Sequence, residues 1–295
     1  MLEHGTSLQA LYKYGKDILI QAGIDDARTD AWLLMEHVMG ISRSYYFVHR
    51  EDEADPVLAR QYTELVKKRS AHTPLQYLTG EAWFYGNCFF VSPDVLIPRQ
   101  DTENLVEEAE RHLQSGMRIL DMCTGSGCIL LSLLKNHPDV SGTGTDLSDS
   151  ALAVARINRS RLHVSEDRAA FFQGNLFDAV PPDMQFDMIL SNPPYIASDV
   201  IPALDPEVRD HEPRLALDGR NDGLFFEEKI AEAARQYFHA DRECWLFLEI
   251  GYDQGMKMCE SLKRLGYANV RILKDFGGND RIACGSYRIG QKGVI

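Results

Sequence analysis

Two segments of this 295-residue chain carry residues whose types and spacing can do chemistry. The first, Asp121-Met-Cys-Thr-Gly-Ser-Gly127, stands between an apolar, strand-like run and a helix-like run. At such a turn an open α/β sheet exposes backbone N–H groups to a ligand. Gly125 and Gly127 let the chain bend tightly and let a ligand approach the backbone. Asp146 closes the next strand-like run, 25 residues after Asp121, where a carboxylate suits the paired hydroxyls of a ribose. Together these residues describe an adenosine-type site. A dinucleotide fingerprint is broken at Cys123 and Leu130, and the lysine of a P-loop is missing.

The second segment, Ser191-Asn-Pro-Pro-Tyr195, follows the apolar run Met188-Ile-Leu190 at the end of a fourth expected strand. Proline lacks an N–H and fixes its own φ, so Pro193-Pro194 makes a stiff extended corner whose carbonyls are free to accept hydrogen bonds. The side-chain oxygen of Asn192 is another acceptor, and Tyr195 offers a flat face. The set suits a planar –NH2 group of an amide or a base, held by both hydrogens with its nitrogen aimed at an electrophile. Such a nitrogen is a poor nucleophile, because its lone pair is delocalised. Holding the hydrogens out of plane weakens the delocalisation, and alignment alone can supply about 7–11 kcal/mol of the barrier. Asn192, Pro193 and Tyr195 are therefore the candidate catalytic residues, and Asn192, Pro193, Pro194 and Tyr195 the candidate acceptor-binding set.

Both segments need elements to position them. From Ser7 to about Ala71, apolar residues recur at helical spacing (Leu8, Leu11, Tyr12; Ala31, Leu34, Met35, Val38; Leu58, Tyr62, Leu65, Val66), which predicts three or four helices. Ser7 can cap the first, and Gly23 and Gly40 stand where left-handed C-caps are needed. Residues 83–91 are aromatic and β-branched on both sides of Gly86-Asn87, the pattern of a hairpin. After Pro98 the segments alternate: helices over 102–113, 128–135, 150–162, 224–237 and 254–265, and strands over 118–122, 142–146, 170–172, 186–190, 244–250, 270–274 and 282–287. Alternation predicts βαβ units on a doubly wound sheet. The last two strands have no helix between them and should form an antiparallel hairpin at one edge.

Composition narrows the function further. Hydrophobic residues make up 44% and charged residues 25%, as in ordinary globular proteins. The net charge is −13, of which −11 falls after residue 80, and this opposes a broad nucleic-acid-binding face. The longest apolar stretches fall short of the roughly 18 residues of a membrane span. Residues 1–6 have neither signal-peptide nor transit-peptide character, so a cytoplasmic address is expected. The six cysteines include no C-x-x-C and should be reduced thiols. No histidine spacing supports a metal site.

In combination these residues resemble the HemK/PrmC family of protein-glutamine methyltransferases. The resemblance rests on Phe84-Tyr-Gly, Leu96-Ile-Pro-Arg-Gln-Asp-Thr-Glu103, the Asp121 loop, Asn192-Pro-Pro-Tyr195, His211-Glu-Pro-Arg-Leu-Ala-Leu217 and Leu248-Glu-Ile-Gly251. It implies a class I S-adenosylmethionine-dependent methyltransferase: an α/β, Rossmann-like doubly wound sheet with an antiparallel edge hairpin, plus a small all-helical N-terminal domain. It further implies a substrate-recognition domain over 1–75, a hairpin linker over 76–98 and the methyltransferase domain over 99–295. S-adenosylmethionine would be held by Cys123, Thr124, Gly125, Ser126, Gly127, Asp146, Asn175, Leu176 and Asn192. The residues from Asn192 to Tyr195 would hold the glutamine of the Gly-Gly-Gln motif in class 1 peptide-chain release factors. A glutamine of a ribosomal protein, or an adenine of nucleic acid, are the alternative acceptors.

Three residues depart from the family pattern. Cys123 replaces a glycine and should be tolerated if its φ is negative; Leu176 replaces an aromatic over the adenine, for which Phe177 could substitute; Gln100 replaces a proline. Arg99, Glu212 and Arg214 are expected at the substrate mouth or in a salt-bridged loop, and Lys67-Lys-Arg69 at a solvated helix end or against an acidic partner.

Overall fold

From Ser7 to Ala71 the helical periodicity resolves, as expected, into four helices, α1 (Leu8–Gln21), α2 (Ala27–Met39), α3 (Arg43–His49) and α4 (Pro56–Ser70), and a short α5 (Leu75–Thr79) follows. α3 and α5 are too short to display a period of their own. The computed structural model describes residues 5–289; residues 1–4, part of the N-terminal stretch considered above, lie outside it. The Ser7 hydroxyl caps α1 by accepting from the Ala10 N–H at 3.3 Å, and α2 stops at Gly40 with φ 64°. Leu11, Leu19, Leu34, Met35, Tyr62 and Val66 form the core of this helical unit, which also takes in Asp205–His211. Of the three cationic residues at the end of α4, Arg69 is not solvated. Its side chain is buried, with Nε 2.6 Å from Asp30 Oδ2 and Nη2 2.5 Å from Glu207 Oε1.

The second unit comprises Glu81–Leu204 and continues from Glu212. It opens with a hairpin of β1 (Glu81–Phe84) and β2 (Asn87–Phe90), followed by α6 (Gln100–Glu110). The turn is Tyr85-Gly86, one residue earlier than the Gly-Asn pair expected, with φ 48° and 72°. A two-residue hairpin turn of this kind needs positive φ at both central residues. Tyr85 is held there by α6: its N–H donates to Glu103 Oε1 and its hydroxyl to Glu110 Oε2, each at 2.7 Å.

The remaining elements are β3 (Arg118–Met122), α7 (Cys128–Asn136), β4 (Ser141–Asp146), α8 (Asp149–Arg161), β5 (Ala169–Gln173), β6 (Met188–Ser191), α9 (Pro206–His211, within the helical unit), α10 (Phe225–Ala234), β7 (Cys244–Glu249), α11 (Gly255–Arg264), β8 (Ala268–Lys274) and β9 (Asp280–Tyr287). The sheet order is β5-β4-β3-β6-β7-β9-β8. The first five strands of that order run parallel, while β9 lies antiparallel to both β7 and β8, giving the expected edge hairpin.

Side chains alternate across the sheet. Ile119, Leu190 and Phe247 enter one core with the aromatic rings of the hairpin, Phe84 and Phe89, and with α6 and α7. Leu120, Ile189, Leu246 and Leu248 enter the other core, with Ile230 of α10 and Leu262 of α11. The strand order reverses between β3 and β6, where a doubly wound sheet opens a crevice at its carboxyl edge. Met122 pairs with Ser191 in that register, so the two chemistry-bearing segments leave the sheet side by side. No helix of the described residues is long and apolar enough to cross a membrane.

Candidate active site

A cavity of about 310 Å³ opens at this carboxyl edge, large enough for a small-molecule ligand. Cys123, Thr124, Gly125, Ser126, Asp146, Asn175, Leu176, Asn192 and Pro194 all line it. Gly127, Pro193 and Tyr195 are not among the described residues on its wall. Asp146 is fixed from both sides: Oδ2 accepts from the Gly125 N–H and Oδ1 from the Ser148 N–H, each at 2.9 Å. Each oxygen keeps a lone pair for a further donor. Burial raises the pKa of this carboxyl, and the backbone hydrogen bonds oppose the rise.

Conformation explains the two glycines of the loop differently. Gly125 has φ 54°, and a Cβ built there meets none of the described residues within 4 Å, so the backbone conformation favours glycine and the cavity side stays clear. Gly127 has φ 79° and caps α7, and its Cβ would come 3.0 Å from Leu131 Cδ1. Its role in the structure is packing rather than lining. Asp121 braces the loop from beneath, accepting from Thr124 Oγ1 at 2.6 Å, and burial pushes its pKa up to about 7.

Cys123 does not keep a negative φ. It sits at +58°, and two more cavity residues, Leu176 at +51° and Arg220 at +71°, share the left-handed region. Each such position costs a non-glycine residue about 1–3 kcal/mol, and such strain tends to gather at functional sites. Phe177 does not take the place of an aromatic on the wall. It is buried and stacked on Tyr237 at 4.5 Å between ring centroids, and it is Leu176 that faces the cavity.

Asn192 donates from Nδ2 to Thr102 Oγ1 at 3.2 Å. That bond commits the amide –NH2 to the protein and leaves the carbonyl oxygen available as an acceptor on the cavity wall. Tyr195, expected to offer its ring to a ligand, is instead anchored behind the site. Its hydroxyl donates to Glu249 Oε1 at 3.2 Å, and its carbonyl accepts from Gln254 Nε2 at 3.0 Å. Burial and the neighbouring Glu249 carboxylate push the phenol pKa up.

Arg99 lines the cavity and pairs through Nη2 with Glu212 Oε1 at 2.5 Å, while the buried Glu212 also accepts from the Ile97 N–H at 3.3 Å. Arg214 pairs with Asp218 at 3.4 Å and is off the wall, so the salt-bridged loop describes it better than the mouth does. Gln100 is the first residue of α6, where the N–H has no intrahelical partner; proline is favoured at such a position but not required.

Sequence reasoning missed Thr102, Arg220, Phe225, Phe226 and Lys229, which also line the cavity, and Glu249 behind it. Glu249 had a usable signal, a carboxylate closing an apolar strand as Asp146 closes β4. Phe225 and Phe226 had none, since two aromatics at a helix start look like core.

Residues 10–80 match the PrmC N-terminal domain, and residues 100–204 match the methyltransferase small domain. The release factor glutamine methyltransferase of Geobacter sulfurreducens is 37% identical over 284 residues, covering 96% of this chain and 97% of that protein. The chain belongs to the release factor glutamine methyltransferase family. Its counterpart in Cereibacter sphaeroides, of the same name, is 40% identical over 264 residues, covering 90% of this chain and 92% of that one. A 16S rRNA methyltransferase from Thermus thermophilus, solved with AdoMet and guanosine, matches with a TM-score of 0.52 at 16% identity over 70% of this chain and 50% of that chain, a likeness of fold alone. Within the release factor glutamine methyltransferase family, then, this chain carries a class I methyltransferase sheet and a helical PrmC-type N-terminal domain.

Proposed function

We propose that Asn192, Pro193 and Pro194 present the glutamine amide of a release-factor Gly-Gly-Gln loop to S-adenosylmethionine held by Cys123, Thr124, Gly125, Ser126, Asp146, Asn175 and Leu176. The reaction is that of the family, methylation of the glutamine side-chain nitrogen. The observation that carries this assignment is the Asn192–Thr102 hydrogen bond, because it leaves an acceptor oxygen on the wall that Asp146 also lines.

The residues present fit an adenosine-type cofactor. The two Asp146 oxygens can accept from ribose hydroxyls, and Leu147, Ala151 and Leu176 supply apolar surface for a base. When bound, S-adenosylmethionine supplies an electrophilic methyl group on a sulfonium. Asn192 and the Pro193-Pro194 carbonyls hold the two hydrogens of the acceptor amide, turning its nitrogen lone pair out of conjugation and toward the cofactor side. Positioning of this sort is worth about 7–11 kcal/mol. Tyr195 serves this arrangement from behind, by anchoring the corner to Glu249.

The helical unit is the part we assign to recognition of the intact release factor; its α3 exposes Tyr45, Phe47 and Val48. Such a substrate places the enzyme in the cytoplasm. The test is transfer of labelled methyl groups to four acceptors side by side: a class 1 release factor, the same factor with its Gly-Gly-Gln glutamine changed to alanine, a ribosomal protein and DNA. Label is expected in the first alone. Equal label in the alanine-substituted factor, or preferential label in another acceptor, overturns the assignment.

A further inference from the structure

Away from the cavity wall, one buried side chain of the second unit ties the Asp121 loop to the hairpin. Asn158, on α8, is fully buried and does not line the cavity. Its Oδ1 accepts from the Phe90 N–H of β2 at 2.7 Å. Its Nδ2 donates to the Phe90 carbonyl at 3.0 Å and to the Ser126 carbonyl at 2.9 Å. A backbone N–H only donates and a carbonyl only accepts, so these partners fix which end of the amide is oxygen.

Both partners need such a group. Phe84 and Asn87 pair across the two-residue turn, so along this antiparallel ladder Phe90, opposite Glu81, falls at a position not hydrogen-bonded to β1. Its N–H and carbonyl point outward, and Asn158 satisfies both as a further strand would. Ser126 stands between Gly125 and Gly127, both at positive φ. The peptide plane joining Ser126 to Gly127 is held at its two ends, the N–H by the Thr124 carbonyl at 2.8 Å and the carbonyl by Asn158. A flip of that plane changes φ only at Gly127, where the missing Cβ offers little resistance. Hydrogen bonds, not sterics, therefore keep the plane in place.

We propose that Asn158 is a positioning residue for the cofactor: by holding the Ser126 carbonyl on the α8 side it keeps the loop in its binding form, and it makes β2 a support of the cofactor site. This rests on the assignment of the loop to S-adenosylmethionine. A released Ser126 carbonyl is free to turn toward the cavity that Ser126 lines, setting an oxygen where the loop otherwise meets a ligand with N–H groups. Coupling through a shared side chain is reciprocal. Cofactor that holds the loop in place therefore also protects the Asn158 bonds to Phe90, although no residue of β2 lines the cavity.

The experiment compares wild type, Asn158→Ala, Asn158→Asp, Leu162→Ala and Asp146→Ala. S-adenosylmethionine affinity is read by calorimetry, stability by denaturant unfolding, and KM and kcat by methylation of release factor. Hydrogen exchange at the Phe90 amide is followed by NMR with and without cofactor. Asn158→Asp keeps the acceptor for the Phe90 N–H but sets an oxygen against two carbonyls. Both Asn158 variants should bind S-adenosylmethionine about tenfold or more weakly, the scale of one lost buried hydrogen bond. KM for the cofactor should rise with them, while kcat stays within about threefold of wild type. Leu162→Ala, at the far end of α8 and buried in the same core as the hairpin rings, should lose stability and keep its affinity. In wild type, cofactor should slow exchange at Phe90.

Unchanged affinity in the Asn158 variants overturns the proposal. So does an equal loss in Leu162→Ala, which makes the effect one of stability alone. Should neither Asn158 variant fold, the wild-type exchange decides, and a Phe90 rate that is the same with and without cofactor overturns the proposal. If Asp146→Ala loses affinity while the Asn158 variants keep it, Asn158 alone has been misassigned. If Asp146→Ala also binds as wild type does, the cofactor-site assignment beneath it has failed.

Discussion

The carboxylate of Asp146, at the end of β4, accepts the backbone N–H of Gly125 at 2.9 Å, so the residue best suited to bind a ribose also holds the loop that crosses it. Asp146→Ala removes both functions. Charge-assisted hydrogen bonds are worth about 1.5–3 kcal/mol, and S-adenosylmethionine affinity should fall by about tenfold to a hundredfold in calorimetry. Asp146→Asn keeps an acceptor for Gly125 and should lose less. Unchanged affinity in the alanine variant would remove the ribose assignment.

Asp121 gives the fold a pH dependence of definite sign. Its pKa is raised by burial to about 7, above that of an unfolded aspartate near 3.9. Between those two values the folded protein holds the proton more tightly than the unfolded chain does, so this residue's contribution to stability declines as pH rises from about 4 through about 7. In denaturant unfolding at pH 5 and pH 8, Asp121→Asn should lose less stability at the higher pH than wild type does. An identical loss in both proteins contradicts the burial argument.

Cys123 holds φ +58° without being glycine. Left-handed backbone costs an L-residue about 1–2 kcal/mol, part of which glycine gives back through its greater freedom in the unfolded chain. Cys123→Gly should therefore be more stable than Cys123→Ala by up to about 1 kcal/mol in denaturant unfolding. Equal stability of the two variants means the backbone there is not strained.

The alternation of strand and helix after Pro98 was legible because each run has its own period, and the ends of β3, β4 and β6 fall within two residues of those expected. The edge hairpin was legible from the missing helix between β8 and β9. The turn at Tyr85 was not, because a tyrosine at positive φ is stabilised by Glu103 and Glu110, carboxylates far along the chain. Within the site, the expected residues that share the cavity sit at or just after strand ends, whose positions follow from hydrophobic pattern. What the pattern could not convey was direction: Tyr195 turns away to Glu249, Phe177 turns into the core, and Arg69 turns inward to Asp30. Each of these depends on a partner more than 30 residues away in sequence.

Asn192 is proposed to position the substrate amide rather than to shape a turn. Single-turnover methylation of a class 1 release factor by Asn192→Ala, beside titration of the same variant with S-adenosylmethionine, tests it most directly. Losing one well-placed polar group at the reacting centre costs on the order of a hundredfold in rate, so turnover should fall by at least that much while cofactor affinity changes only a few-fold. An Asn192→Ala enzyme that methylates the release factor within about threefold of the wild-type rate contradicts the account.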